Sequence, residues 1–330
     1  MKEARGNKLL IDDYGEYIGK ILFLTSILAL IVILFSPLNG MLFTVDEYFT
    51  YGLIKFPLMH GITITMADVH PPLYYIILKV FIKLLSPLGL DILYISKIIT
   101  LIPYIFILLI SATKIKEEYN WLTAGLFTFL LYSMTEFFMF YLTIRMYSWA
   151  CLFLVLSFIY LKDVLIKSDL KSWSLFTLFT LLGAYTHYFC AISSIAIYLI
   201  LLIYFIIMKN SFLHEFKKWS ASVIALMIGY VPWGFTLITQ LNNVHNTYWI
   251  PQIDLSYFIY CLTYYSTISF ESYIVTLAIV LLFVLLSIAI FKSMQNDATI
   301  EDNYVLMGIL VLFATLFLGI VISFTFKPIL

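Results

Sequence analysis

The residues best suited to chemistry begin with two adjacent acids, Asp46 and Glu47, which directly follow the first long apolar segment. A carboxylate beside an apolar bundle suits a general base or a cation site. The spacing Thr44-x-x-Glu47 is also a capping-box pattern, and acids favour a helix N-terminus. Capping therefore explains Glu47 about as well as chemistry does, but it explains Asp46 less well.

A second group lies about twenty residues later, in the segment Asp68–Pro72. Its two prolines suit the first turn of a helix and need no functional explanation. A residue before proline prefers extended backbone, so His70 can face the same outer cavity as Asp46. Oxygen and nitrogen ligands of this kind suit a divalent cation. Because the spacing is not diagnostic, we expect no cofactor and keep a divalent cation as the alternative.

The third candidate is Arg145, one of 2 arginines in a chain that has 17 lysines. Its planar, permanently charged fork suits a phosphate group. The alternative is an ion pair with Glu136, since charges inside membranes usually find a partner. His187 and Tyr188 form a fourth group. A lone histidine at a turn is more often structural, and these two residues draw interest because they share the predicted face of the other groups.

The composition indicates that these residues belong to a membrane protein. The chain is 63% apolar and 12% charged over 330 residues, which excludes a soluble globular or disordered protein. The formal net charge is zero, and we expect no nucleic-acid partner. The three cysteines lack the spacing of a metal or redox motif. Motifs for nucleotides and for common hydrolases are also absent from the sequence.

Segments long enough to cross a bilayer predict an all-α, polytopic membrane helix bundle of about nine spans. The predicted spans are 20–38, 91–112, 120–141, 146–161, 173–190, 190–208, 219–239, 272–292 and 304–326. Residues 72–86 are excluded because they are short and place Tyr75, Lys79, Lys83 and Ser86 on one stripe. That pattern is typical of an amphipathic helix lying in the membrane interface.

Charge then predicts the orientation, because cytoplasmic loops are enriched in Lys and Arg. A cytoplasmic N-terminal segment, 1–19, puts 13 of the 19 bases inside, whereas a crossing at 72–86 moves nine of them outside. We therefore expect a plasma-membrane domain, 20–330. Its first outer loop, 40–90, carries interfacial helices at 47–58 and 72–86. All four candidate groups then lie on the outer face.

The order of these motifs resembles the C-type membrane glycosyltransferases, and in particular the prokaryotic relatives of protein O-mannosyltransferases and of lipid A aminoarabinose transferases. The resemblance covers residues 20–240. It rests on VDE after the first span, HPPLYY opening a short helix, and then RMY, HY and a YVPW span. The pairing of DE with HPPLYY in one outer loop is its most specific part.

The resemblance implies a similar fold and an inverting transfer of a sugar from a polyprenyl-phosphate donor. Asp46 would be the catalytic base, Glu47 would be a second active-site acid that shapes the donor or acceptor site, and Arg145 would hold the lipid phosphate. The other matching positions would bind substrate: Asp68, His70, Tyr74, Tyr147, His187 and Tyr188. The acceptor would be a lipid, a glycan or a protein.

The sequence departs from the family pattern at two places, and two other functions remain as alternatives. Family members usually carry a glutamate close before the arginine, where this chain has Thr143-Ile144. They also commonly continue past a segment like 323–330, so a truncated relative is expected. A degenerate relative that only binds polyprenyl lipid is one alternative. A transporter or flippase is the other, although no internal repeat is visible.

Overall fold

The computed structural model describes residues 2–35, 44–133, 143–207, 212–247 and 299–325, together with the single positions 256, 284 and 288. Every regular element among these residues is helical. The longer helices are α1 (Lys2–Phe35), α2 (Val45–Lys55), α3 (Leu58–Ala67), α4 (Leu73–Leu85), α5 (Ile92–Ile110), α6 (Trp121–Ser133), α7 (Tyr147–Lys167), α8 (Leu170–Thr186), α9 (Tyr188–Ile207), α10 (Phe212–Thr247) and α11 (Ile300–Thr325). The all-α prediction is confirmed for this part of the chain.

Within the described residues, six helices are long and apolar enough to cross a membrane. They are Asp13–Leu34, Ile92–Glu118, Tyr147–Ile166, Tyr188–Ile207, Leu213–Asn243 and Ile300–Phe324. The second continues α5 through a π-helical turn, Ser111–Ile115. Of the other predicted spans, 120–141 is described to Ser133 as α6, and 173–190 corresponds to the 17-residue α8. The predicted span 272–292 lies outside the described residues, apart from positions 284 and 288.

The two short helices predicted in the first loop are present as α2 and α4. The predicted polar stripe of α4 is only partly right, because Tyr75 is buried together with Tyr74, Leu78 and Ile82. Lys83 remains exposed, as an amphipathic helix requires. An additional helix, α3, occupies part of the segment that the sequence left as loop.

The chain forms two compact units. The first comprises the residues up to Ile62 and Tyr74–Leu152. In it α1 packs against α6 and α5 around a buried apolar cluster: Phe23, Leu30, Ile33, Leu101, Tyr104 and Leu108. The backbones of α1 and α6 approach closely at Gly19 and Gly125. A side chain at either glycine would collide with backbone atoms of the other helix, so glycine makes this crossing possible.

The second unit comprises Thr63–Leu73 and the residues from Phe153 onwards. Near the start of α8, Lys218 Nζ donates to Ser168 O at 2.7 Å, and near its end Tyr185 OH donates to Gly229 O at 2.8 Å. The helices α8 and α10 therefore run in the same direction. The chain turns at His187, where the backbone is extended, and α9 runs antiparallel to both helices. The predicted turn at 186–188 is confirmed.

Candidate functional site

The first acids of the sequence lie in the opening turn of α2, where they fulfil the predicted capping box. Thr44 Oγ1 accepts from the Glu47 N–H at 3.2 Å, and the Thr44 N–H donates to Glu47 Oε2 at 3.0 Å. Glu47 thereby satisfies a backbone donor that a helix start leaves free. This arrangement points the two adjacent carboxylates into different surroundings.

Glu47 points inward and is almost fully buried, with 2% of its side chain exposed. Its Oε1 accepts from Lys97 Nζ at 2.8 Å and from the Ile144 N–H at 2.9 Å. Burial by itself would raise the pKa of this carboxyl. The ammonium of Lys97 and the N–H groups of Ile144 and Thr44 outweigh that effect and hold the pKa below its usual value. The Glu47 carboxylate is therefore ionised, and both of its oxygens accept hydrogen bonds.

Asp46 points the other way, with 57% of its side chain exposed. Its Oδ2 lies 3.7 Å from Nη2 of Arg145, whose own side chain is 2% exposed. Nη1 of Arg145 donates to Tyr75 OH at 3.3 Å and to Thr50 Oγ1 at 3.4 Å. An accessible carboxylate is thus held against a buried guanidinium. The predicted partner of Arg145, Glu136, lies outside the described residues.

The two tyrosines of the HPPLYY segment have different environments. Tyr74 is fully buried, and its hydroxyl is 3.1 Å from Thr100 Oγ1 of α5. Burial raises the pKa of the Tyr74 hydroxyl, so this group stays protonated. Tyr75, which the sequence analysis placed on the polar stripe of α4, instead contacts Arg145. Tyr147 is a further electrostatic neighbour of that guanidinium.

The second unit brings together another set of predicted residues. His70 Nδ1 lies 2.8 Å from Asp68 Oδ2. The hydroxyl of Tyr188 donates to Gln240 Oε1 and accepts from Trp233 Nε1 at 3.0 Å. Gln240 is buried and donates to the carbonyl of Thr65 at 2.9 Å. The start of α9, the later part of α10 and the segment before Asp68 therefore meet at one end of this unit.

His187 serves the helix turn itself. It is the extended residue between α8 and α9, and its Nδ1 accepts from the Phe189 N–H at 3.2 Å. Its ring stacks on that of Phe189 at a centroid distance of 5.8 Å. These contacts fix the ring at the turn and agree with the structural role that the sequence left open for it.

The predicted site residues accordingly belong to two sets. The first unit holds Asp46, Glu47, Tyr74, Arg145 and Tyr147, and the second holds Asp68, His70, His187 and Tyr188. Within the described residues, no three carboxylate, imidazole or thiol side chains converge in a way that could hold a metal ion.

The sequence motifs do not indicate a site role for four residues that contact these sets: Lys97, Tyr75, Thr50 and Gln240. Lys97 could have been found, because it is a charged residue in an otherwise apolar helix, and such charges usually have a buried partner. Gln240, late in the long helix α10, gives a similar but weaker signal. Tyr75 and Thr50 carry no such signal, since tyrosines and threonines are frequent throughout the chain.

The first unit is equipped for acid–base chemistry beside a fixed positive charge. Asp46 is exposed enough to take a proton from a bound hydroxyl. Arg145 is placed to stabilise negative charge that develops nearby. Comparison with known proteins adds no assignment, since the chain matches no family model, no curated protein and no solved structure. The resemblance to C-type glycosyltransferases stays a prediction from the sequence motifs.

Proposed function

We propose that this protein is an inverting glycosyltransferase that moves a sugar from a polyprenyl phosphate to an acceptor hydroxyl at the outer membrane face. One observation carries the proposal: the exposed carboxylate of Asp46 is held 3.7 Å from the buried guanidinium of Arg145. A base and a phosphate-binding cation are the two groups that such a transfer needs in close proximity.

In the proposed reaction, Asp46 removes the proton of the acceptor hydroxyl. The acceptor oxygen forms a bond to the anomeric carbon while the bond from that carbon to the phosphate oxygen breaks. The polyprenyl phosphate leaves with the bonding electrons, and Arg145 stabilises its charge. Direct displacement inverts the anomeric centre.

The membrane arrangement belongs to the same proposal. We infer nine spans in a C-type glycosyltransferase fold, with a cytoplasmic N-terminus in a plasma membrane. The polyprenyl tail of the donor remains in the bilayer. The acceptor, whether lipid, glycan or protein, reaches Asp46 from the outer side, where that residue is exposed. The substrate-binding roles of Asp68, His70, Tyr74, Tyr147, His187 and Tyr188 stay predictions.

The test is release of polyprenyl phosphate in membranes that receive labelled polyprenyl-phosphate hexoses. We expect Asp46→Asn to lower release by about 10²- to 10⁴-fold, the usual contribution of a positioned base. The matched control is Asp91→Asn, because Asp91 is an exposed helix cap and asparagine caps a helix equally well. The control variant should release product at the wild-type rate.

The result also separates the alternatives. Undiminished release by Asp46→Asn would contradict the role of Asp46. Donor binding without release, in a folded wild-type protein, would favour the degenerate lipid-binding relative. Movement of intact donor across sealed vesicles, without loss of its sugar, would favour a flippase.

A further inference from the structure

The buried pair of Glu47 and Lys97 is a feature of the first unit that the proposed reaction leaves unused. Both side chains are nearly inaccessible, with 2% and 7% exposure, and their charged atoms are 2.8 Å apart. Removing two charges from water is costly, so a pair of this kind is retained only where its geometry is well satisfied. Its position in the chain suggests what it does.

Glu47 and one of its partners, Ile144, are the sequence neighbours of the two reacting groups. Glu47 itself follows Asp46, and the N–H that it accepts belongs to Ile144, which precedes Arg145. One carboxylate therefore fixes the backbone on both sides of the Asp46–Arg145 pair. Lys97 fixes that carboxylate from α5, a different helix of the same unit.

We propose that Lys97 is a positioning residue that, through Glu47, sets the distance between Asp46 and Arg145. The inference rests on the proposed function, and it adds a residue that contacts neither donor nor acceptor. Without the Lys97 ammonium, the buried Glu47 carboxylate would become hydrated or protonated. The start of α2 would then move away from the 143–146 turn. A displacement of about 1 Å at a reacting group can cost about 100-fold in rate.

Three variants test the role of Lys97 on transfer. We expect Lys97→Met to lower kcat by about 100-fold, the cost of a misplaced group. Lys97→Arg keeps a cation and should retain most of the activity. The double variant Lys97→Met/Glu47→Gln removes both charges, so it should recover thermal stability relative to Lys97→Met without recovering kcat.

A second measurement needs no activity, so it separates failure of this inference from failure of the proposed function. Thr50 is fully buried and accepts a hydrogen bond from Arg145. In a protein whose three native cysteines are replaced by serine, Thr50→Cys should resist a thiol reagent and lose that protection when Lys97→Met is added. Lys162→Met, a buried lysine of the second unit, is the matched control and should leave the protection unchanged.

Two results would overturn the inference. One is continued protection of Thr50→Cys in the Lys97→Met protein. The other is recovery of kcat together with stability in the double variant, which would reduce the pair to a purely structural role. If the wild-type protein transfers no sugar but Lys97→Met still exposes Thr50→Cys, the proposed function fails while the positioning role stands.

Discussion

At the scale of single residues, two adjacent acids have opposite environments. Asp46 is largely exposed, whereas Glu47 is buried and its carboxylate accepts three hydrogen bonds. This difference follows from the helix start, since the capping geometry turns the third helical residue back towards the chain while its predecessor points outward. In the proposed reaction, Asp46 is therefore the group that transfers the proton, and Glu47 is the group that positions the backbone.

The burial of Glu47 predicts an acid-sensitive stability. The pKa of Glu47 lies below its ordinary value of 4.5, so the folded state favours the ionised form. Its stabilisation is therefore complete above pH 4.5 and is lost as the pH falls through the folded-state pKa. We expect Glu47→Gln to cost about 3–5 kcal/mol at pH 7, because Lys97 loses its buried partner. Thermal unfolding in detergent at several pH values measures this difference.

The comparison must isolate Glu47 from the other acids of the chain. Glu16 is the matched control, since it pairs with Lys20 at 2.7 Å but is 52% exposed. Glu16→Gln should cost about 0–1 kcal/mol at every pH. The difference in stability between wild type and Glu47→Gln should narrow as the pH falls below 4.5, and a difference of constant size would contradict the assignment.

The sequence predicts local contacts of these residues and misses the distant ones. The capping box is visible because Thr44 and Glu47 are three residues apart. Lys97 is 50 residues from Glu47, and Ile144 is 97 residues away. No periodicity or motif records such a separation, because these contacts depend on how helices pack.

At the scale of helices, α4 could be predicted from the sequence and α3 could not. The helix α4 was predicted from its stripe and its opening prolines, although the contact of Tyr75 with Arg145 was not. The helix α3 was missed because it contains Gly61 and a run of β-branched residues, 62–65, which favour other structures. Its burial of Thr65 shows that packing outweighs propensity here.

The crossing of α1 and α6 gives a prediction at this scale. A Cβ on Gly125 would lie 2.0 Å from the carbonyl oxygen of Gly19, and one on Gly19 would lie 2.1 Å from that of Trp121. Because these obstacles are backbone atoms, the helices themselves would have to separate. We expect Gly125→Ala to destabilise the protein by about 1–3 kcal/mol or more, as overpacking does. Thermal unfolding in detergent measures the effect.

Gly52 is the matched control for that substitution. It also lies within a helix of the first unit, but nothing stands within 4 Å of an added Cβ. Gly52→Ala should be neutral or stabilising by about 0.5–1 kcal/mol, because alanine loses less backbone entropy in a helix. Equal behaviour of Gly52→Ala and Gly125→Ala would show that α1 and α6 do not meet at this close distance.

At the scale of the whole molecule, the number of spans depends on α8. This helix has 17 residues and a length of about 25 Å, slightly less than a hydrocarbon core of about 30 Å. It is shorter than the six candidate spans, but it runs parallel to α10, which is one of them. Since α9 runs antiparallel to α8 and α10, we expect all three to cross.

Crossing by both α8 and α9 predicts that Leu170 and Leu213 lie on the same side of the membrane. Both side chains are exposed, at 84% and 73%, so single cysteines there suit labelling by an impermeant thiol reagent. In a background without the native cysteines, we expect protection of both positions in intact cells and labelling after permeabilisation. Val45→Cys, at a position that is 86% exposed, should be labelled in intact cells because the charge pattern predicts that it lies outside. Labelling of Leu170→Cys and Leu213→Cys from opposite sides would leave only one crossing in 170–207 and would contradict the crossing of both α8 and α9.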